Sequence, residues 1–96
     1  MPARYLVQDT FPGHMAGPMV LGLLLEGVIA GGETLVIEGS GTPIRVSGFD
    51  VHPRQTAAGL EVGLRLHPED APKVAAGSML LSPPPATELE QVRTTG

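Results

Sequence analysis

Cysteine and tryptophan are both missing from this chain, and its other aromatic residues amount to one Tyr and two Phe. Without cysteine there is no disulfide, no zinc-thiolate centre and no thiol nucleophile. With so few rings, any core must be built from Val, Leu, Ile and Met, which supply most of the 42% apolar content. Basic residues are also scarce, six against ten acids, giving a formal charge of -4 with no two basic residues adjacent. This argues against a broad phosphate-binding surface, because counterion release requires clustered Lys and Arg; a small local contact with nucleic acid stays open. No apolar run is long enough to span a bilayer as a helix. The richest stretch, Met15 to Ile29, is interrupted by Gly17, Pro18, Gly22 and Glu26. The first ten residues carry Arg4, Gln8 and Asp9 where a secretory signal would be apolar. The expectation is a cytoplasmic protein with no membrane contact.

What is abundant is punctuation. Thirteen Gly and ten Pro lie between short apolar runs, which is the pattern of strands and turns. Arg4 to Phe11 reads as a strand, with Tyr5, Val7 and Asp9 on one side, that stops at Pro12-Gly13. Met19 to Leu25 reads as a nearly continuous apolar strand in a central position, its Gly22 marking a bulge or a close approach. Glu26 to Gly32 is a turn with a short extended piece. Glu33 to Glu38 is another strand, and Gly39-Ser40-Gly41 joins it as a hairpin to the β-branched run Thr42 to Val51. His52 to Ala58 is polar and reads as a loop. Leu60 to Leu66 alternates cleanly, with Leu60, Val62, Leu64 and Leu66 on one face. His67 to Val74 places acids early and Lys73 late before Gly77, fitting one helical turn with Glu69-Asp70 at its start. Ser78 to Leu81 is a last short strand, and Pro83-Pro84-Pro85 ends the compact part.

Ninety-six residues allow one core. The expected architecture is all-β: one small closed barrel of six to seven strands with one short helical turn, over residues 1–84, followed by a flexible polar tail at 85–96. Closure also removes exposed strand edges.

Several pieces taken in order carry a resemblance: Asp9-Thr10-Phe11, Gly13, Val20 and Gly22, Gly27-Val28-Ile29 with Gly32-Glu33, Gly48-Phe49-Asp50-Val51-His52, Ala58-Gly59-Leu60-Glu61-Val62-Gly63-Leu64, and Ala76-Gly77-Ser78-Met79-Leu80-Leu81. Their succession over residues 4 to 84 resembles the second, β-barrel domain of translational GTPases of the elongation factor Tu and selenocysteine-specific factor type. The resemblance implies a stand-alone copy of that barrel, since no Gly-x-x-x-x-Gly-Lys-Ser/Thr loop is present to hold a nucleotide. In the elongation factor this barrel helps to hold the aminoacylated 3′ end of tRNA. The resemblance therefore directs the search for a ligand to Asp50, with Leu24, Phe49, His52 and Arg54 as the surrounding surface. Two departures weaken that inheritance. Basic residues usual in the stretch matched by Leu23 to Glu26 are replaced by three leucines and a glutamate, and the loop at His52 to Ala58 is short. Without a ligand, Asp50 would cap the following loop through its own side chain, and this is the preferred reading of that residue.

The remaining chemistry is thin. His14, His52 and His67 have no metal-ligand spacing between them. Ser40, Ser47, Ser78 and Ser82 lack the context of a nucleophile elbow. No catalytic, metal or cofactor-binding residue is assigned. The leading expectation is a non-catalytic binding or adaptor module with a protein partner. Binding of a tRNA 3′ end or another RNA end is the alternative, and a metal-dependent or hydrolytic enzyme the weakest. Surplus apolar surface around Met15 to Leu25 and Val28-Ile29 also favours a homodimer.

Overall fold

A computed structural model describes residues 2–11 and 17–83, with the side chains of Asp50, Val51 and His52 outside the description. His14, Pro12-Gly13 and the expected tail at 85–96 therefore lie outside the described residues. Among the described residues six strands form: β1 (Arg4–Phe11), β2 (Met19–Glu26), β3 (Thr34–Ile37), β4 (Pro43–Thr56), β5 (Gly59–Leu66) and β6 (Met79–Leu81). They close into a barrel in the order β1-β2-β5-β4-β3-β6, and every neighbouring pair is antiparallel. The only helical element among the described residues is a 3-10 turn at Ala71–Lys73. No described helix is long and apolar enough to cross a membrane.

The core is aliphatic, as the shortage of rings requires. Val7, Val20, Leu35, Ile44, Val46, Leu64, Leu66 and Leu80 are buried around the single Tyr5. The alternation in β5 is realised, with Val62, Leu64 and Leu66 inside and Leu60 packed half-buried against them. In β2, Met19 and Leu23 are buried as well as Val20, so the run carries apolar residues on both faces and does not alternate.

Tyr5 fixes the spacing of β1 against β2. Its ring lies over Gly22, where an added Cβ would stand 2.9 Å from the ring and well inside contact distance of the Leu6 carbonyl oxygen. Gly22 is thus the close-approach glycine, and the register runs through it as Val7↔Gly22. The Tyr5 hydroxyl donates to the Val62 carbonyl oxygen across the interior. Burial, reinforced by the charge of Glu61, pushes this phenol above its usual range. Tyr5→Phe strips a buried carbonyl of its donor and is expected to cost about 1–2 kcal/mol in urea denaturation. In the parent protein the neutral phenol contributes its full stabilisation below the ordinary tyrosine pKa of about 10 and loses it as pH rises beyond that. Tyrosinate absorbance should therefore appear only together with unfolding.

Three sequence expectations need correction. Asp9 does not share the inner side with Tyr5 and Val7: the register shifts between Val7 and Asp9, Gln8 is the extra residue, and Asp9 is exposed. The loop expected at His52 to Ala58 is mostly strand, for β4 continues to Thr56 and only Ala57-Ala58 turn the chain. Pro53 is tolerated because it falls in the irregularity between Val51 and Arg54. Beyond it the pairing resumes with Arg54↔Glu61, tied by a 2.7 Å ion pair, and Thr56 Oγ1 donates to the Gly59 carbonyl oxygen at 2.8 Å.

The third correction concerns Asp70. It precedes the 3-10 turn, yet its side chain makes no capping bond there. At 3% exposure it faces Arg45 on β4 instead. One carboxylate oxygen accepts from the Arg45 amide at 2.8 Å and from Nε at 2.9 Å, while Lys73 Nζ reaches the other at 3.4 Å. Glu69 takes Arg45 Nη2 at 3.2 Å. The Arg45 guanidinium, then its amide, hold the Asp70 carboxyl far below the usual carboxylate range against the opposing effect of burial.

The alternation of antiparallel strands gives the barrel two unlike ends. At one lie the β3–β4 hairpin and the β5–β6 connection, whose Val74 enters the core and whose position Asp70 secures. At the other lies the 27–33 connection between β2 and β3, whose Ile29 enters the core while Val28 points out at 78% exposure.

Candidate functional site

The end that carries Val28 is where the candidate site forms. Gly27 leaves β2 with φ 72° and Gly32 enters β3 with φ 84°, left-handed values that glycine adopts without strain. Across Gly31 and Gly32 the Glu33 carboxylate accepts the Ala30 amide at 2.8 Å, and the Glu33 amide donates to the Ala30 carbonyl oxygen at 3.2 Å. This small closed loop fixes which of two adjacent apolar residues turns inward: Ile29 is 6% exposed beside the strongly exposed Val28.

The loop forms one wall of an apolar groove of about 280 Å³. Leu24 of β2, Phe49 and Pro53 of β4, and Leu60 and Val62 of β5 complete it. Phe49 is 45% exposed, a large ring left at the surface of a chain that has few. The continuation of β4 past Val51 is what brings Pro53 to the groove, so the correction to the strand boundary is also a correction to the site. Every lining residue is apolar or glycine, and none carries a titratable or nucleophilic side chain. A second, smaller cleft of about 110 Å³ lies among Thr10, Pro18, Met19, Val20, Ala71, Pro72 and Val74.

Of the five residues marked out from the sequence, Leu24 and Phe49 line the groove together. Arg54 stands next to its Pro53 wall and is engaged by Glu61 on the neighbouring strand. Asp50 and His52 belong to β4 between Phe49 and Pro53, but their side chains lie outside the described residues. Sequence reasoning did not place Gly27, Pro53, Leu60 and Val62 at a site. It noted Val28-Ile29 only as surplus apolar surface. The available signal was that pair itself, two β-branched residues inside a glycine-rich turn where polar residues are usual. His67 is half-buried in the β5–β6 connection, and no group of three or more His, Asp or Glu is gathered among the described residues.

Compared with protein-family models, with curated proteins and with solved structures, the chain matches none.

Proposed function

We propose that this chain is a non-catalytic binding module, built on a barrel of the translation-factor second-domain type, that seats an apolar anchor of a protein partner in the groove between Val28 and Phe49. The observation that carries the reading is the combination of a wholly apolar lining with two large side chains, Val28 and Phe49, left in water at its rim. Exposed apolar surface of this kind, framed by charged neighbours, is the common mark of an interaction site. Its volume falls at the lower limit of the roughly 300–1,000 Å³ typical of small-molecule sites, which suits a side-chain anchor better than an enclosed cofactor. The closed six-stranded antiparallel barrel is compatible with the resemblance, although a fold alone assigns no function. An RNA end is the poorer occupant, because no lining residue carries a cation and the nearby Arg54 is already held by Glu61.

Val28→Asp is the decisive substitution. Val28 is exposed and makes little contribution to the core, so stability should change by about 0.5 kcal/mol or less. A charge at the lip of the groove should weaken partner binding by about tenfold or more. Quantitative affinity capture with the parent chain and with Val28→Asp, side by side, reads this difference. A partner retained equally by both would contradict the reading, as would a partner released by treatment with ribonuclease.

A further inference from the structure

β4 outlasts the strand beside it. β3 has 4 residues and β4 has 14, and the two pair only over residues 43–45 of β4. One further step follows, in which the Val46 amide donates to the Glu33 carbonyl oxygen and the Gly32 amide donates to the Val46 carbonyl oxygen, both at 2.9 Å. Beyond that point residues 27–31 and β4 diverge, and the apolar groove is the space between them: Phe49 and Pro53 form its bank on β4, and Gly27, Val28 and Ile29 form the facing bank. Over residues 47–54 the backbone of β4 is laddered to β5 alone among the described residues, so its other edge carries amides and carbonyls with no strand beside them. Ser47, Phe49, Pro53 and Arg54 are exposed along this stretch. The groove therefore occupies the slot that β3 would fill if it ran as far as β4 does.

Resting on the proposed binding role of the groove, we infer that its occupant is a short extended segment of a partner protein, which adds to the open edge of β4 as a strand and plants an apolar side chain between Val28 and Phe49. The amides and carbonyls of a strand edge are matched in spacing by another extended backbone, whose alternate side chains then point to one face. The backbone supplies the pairing, and the groove selects for the apolar residue. The same edge of a second copy is the poorer occupant. β4 carries one residue more than β5 at each of three places, between Val46 and Gly48, between Phe49 and Val51, and between Val51 and Arg54, and Pro53 has no amide to offer. Such an edge bends, so it cannot pair along its length with an identical one and has room only for a few bonds to a short strand.

A blocked peptide, Thr-Leu-Thr-Phe-Thr-Val-Thr, tests the inference together with two derivatives, one N-methylated on the threonine amides and the other on the apolar amides. Each derivative loses the donors of one strand edge and keeps every side chain. All three are titrated into the full chain while hydrogen exchange of the β4 amides and the methyl resonances of Leu24, Val28, Ile29 and Leu60 are followed. In the free chain the amides of residues 47–54 that face away from β5 should exchange fast, and the unmethylated peptide should slow them about tenfold or more while moving the groove methyls. One derivative should bind about tenfold more weakly and the other within about twofold of the unmethylated peptide, since only one edge of an added strand meets the protein. Groove methyls that move with no protection of β4 amides, or two derivatives that bind equally, overturn strand addition and leave the groove as a binding site. Failure of all three peptides to move the groove methyls overturns both readings. Protection of the same amides that grows with protein concentration in the absence of peptide would mean that a second copy of this chain pairs with β4, which also overturns the inference.

Discussion

Gly22→Ala is expected to cost about 3 kcal/mol or more, read as a fall in the urea midpoint, and to approach outright loss of the fold. The methyl group has nowhere to go. On one side it meets the backbone carbonyl of Leu6 in β1, which cannot move without breaking the β1–β2 ladder, and on the other the ring of Tyr5. The Tyr5 ring is itself pinned by its hydroxyl to Val62 in β5, so pushing it aside disturbs a third strand. A domain of this size has about 5–15 kcal/mol in all, so a penalty of this order is a large share of what exists. Gly31→Ala is the control: open space surrounds that position, and a change within about 0.5 kcal/mol is expected. An equally small effect at Gly22 would mean that β1 and β2 do not approach as described.

Asp70→Asn is expected to cost about 2–3 kcal/mol, since it removes the charge from hydrogen bonds that the Arg45 amide, the Arg45 guanidinium and Lys73 make to one buried carboxylate. The substitution also carries a pH signature. Folding favours ionised Asp70, because its carboxyl is held below the ordinary value only in the native state. The stabilisation is therefore complete above the unfolded carboxylate pKa of about 4 and is lost progressively as pH falls below it. The stability gap between parent and Asp70→Asn should be widest near neutrality and shrink steadily on acidification to about pH 2. A gap that stays constant with pH would mean that the contact stabilises by shape and not by charge.

Those two sites also mark where sequence reading succeeds and where it stops. Gly22 was legible as a bulge or close approach because a lone glycine inside an apolar run has few other reasons to be there; which of the two it served depended on where Tyr5 lay. The alternation of Leu60, Val62, Leu64 and Leu66 declared both the strand and its inner face, since period two maps directly onto a pleated surface. The bulge at Gln8 had no local signal, and without it Asp9 was placed on the wrong side. His52 to Ala58 read as a loop because the segment is polar, and polar residues on an exposed strand carry the same signal. The partner that carries β4 past Pro53, Glu61 opposite Arg54, becomes visible only once the register is known. Asp70 looked like a helix start for the same reason: its true partner, Arg45, is distant in the chain and meets it only after the barrel closes. Half of the candidate site was legible in this limited sense. Leu24 and Phe49 were singled out through a family resemblance, and Val28-Ile29 as unexplained greasiness. The inward turn of Ile29 and outward turn of Val28 depend on the Glu33 contact to Ala30, which composition does not encode.

A photoreactive side chain at Val28, irradiated in native extract, tests the binding claim most directly, with the same group at Ser40 in the exposed hairpin of the opposite end as reference. A discrete protein adduct from position 28, absent from position 40 and suppressed by an excess of the unlabelled parent chain but not of Val28→Asp, is the predicted result. Adducts that are equal at both positions, or that consist of RNA alone, would contradict it.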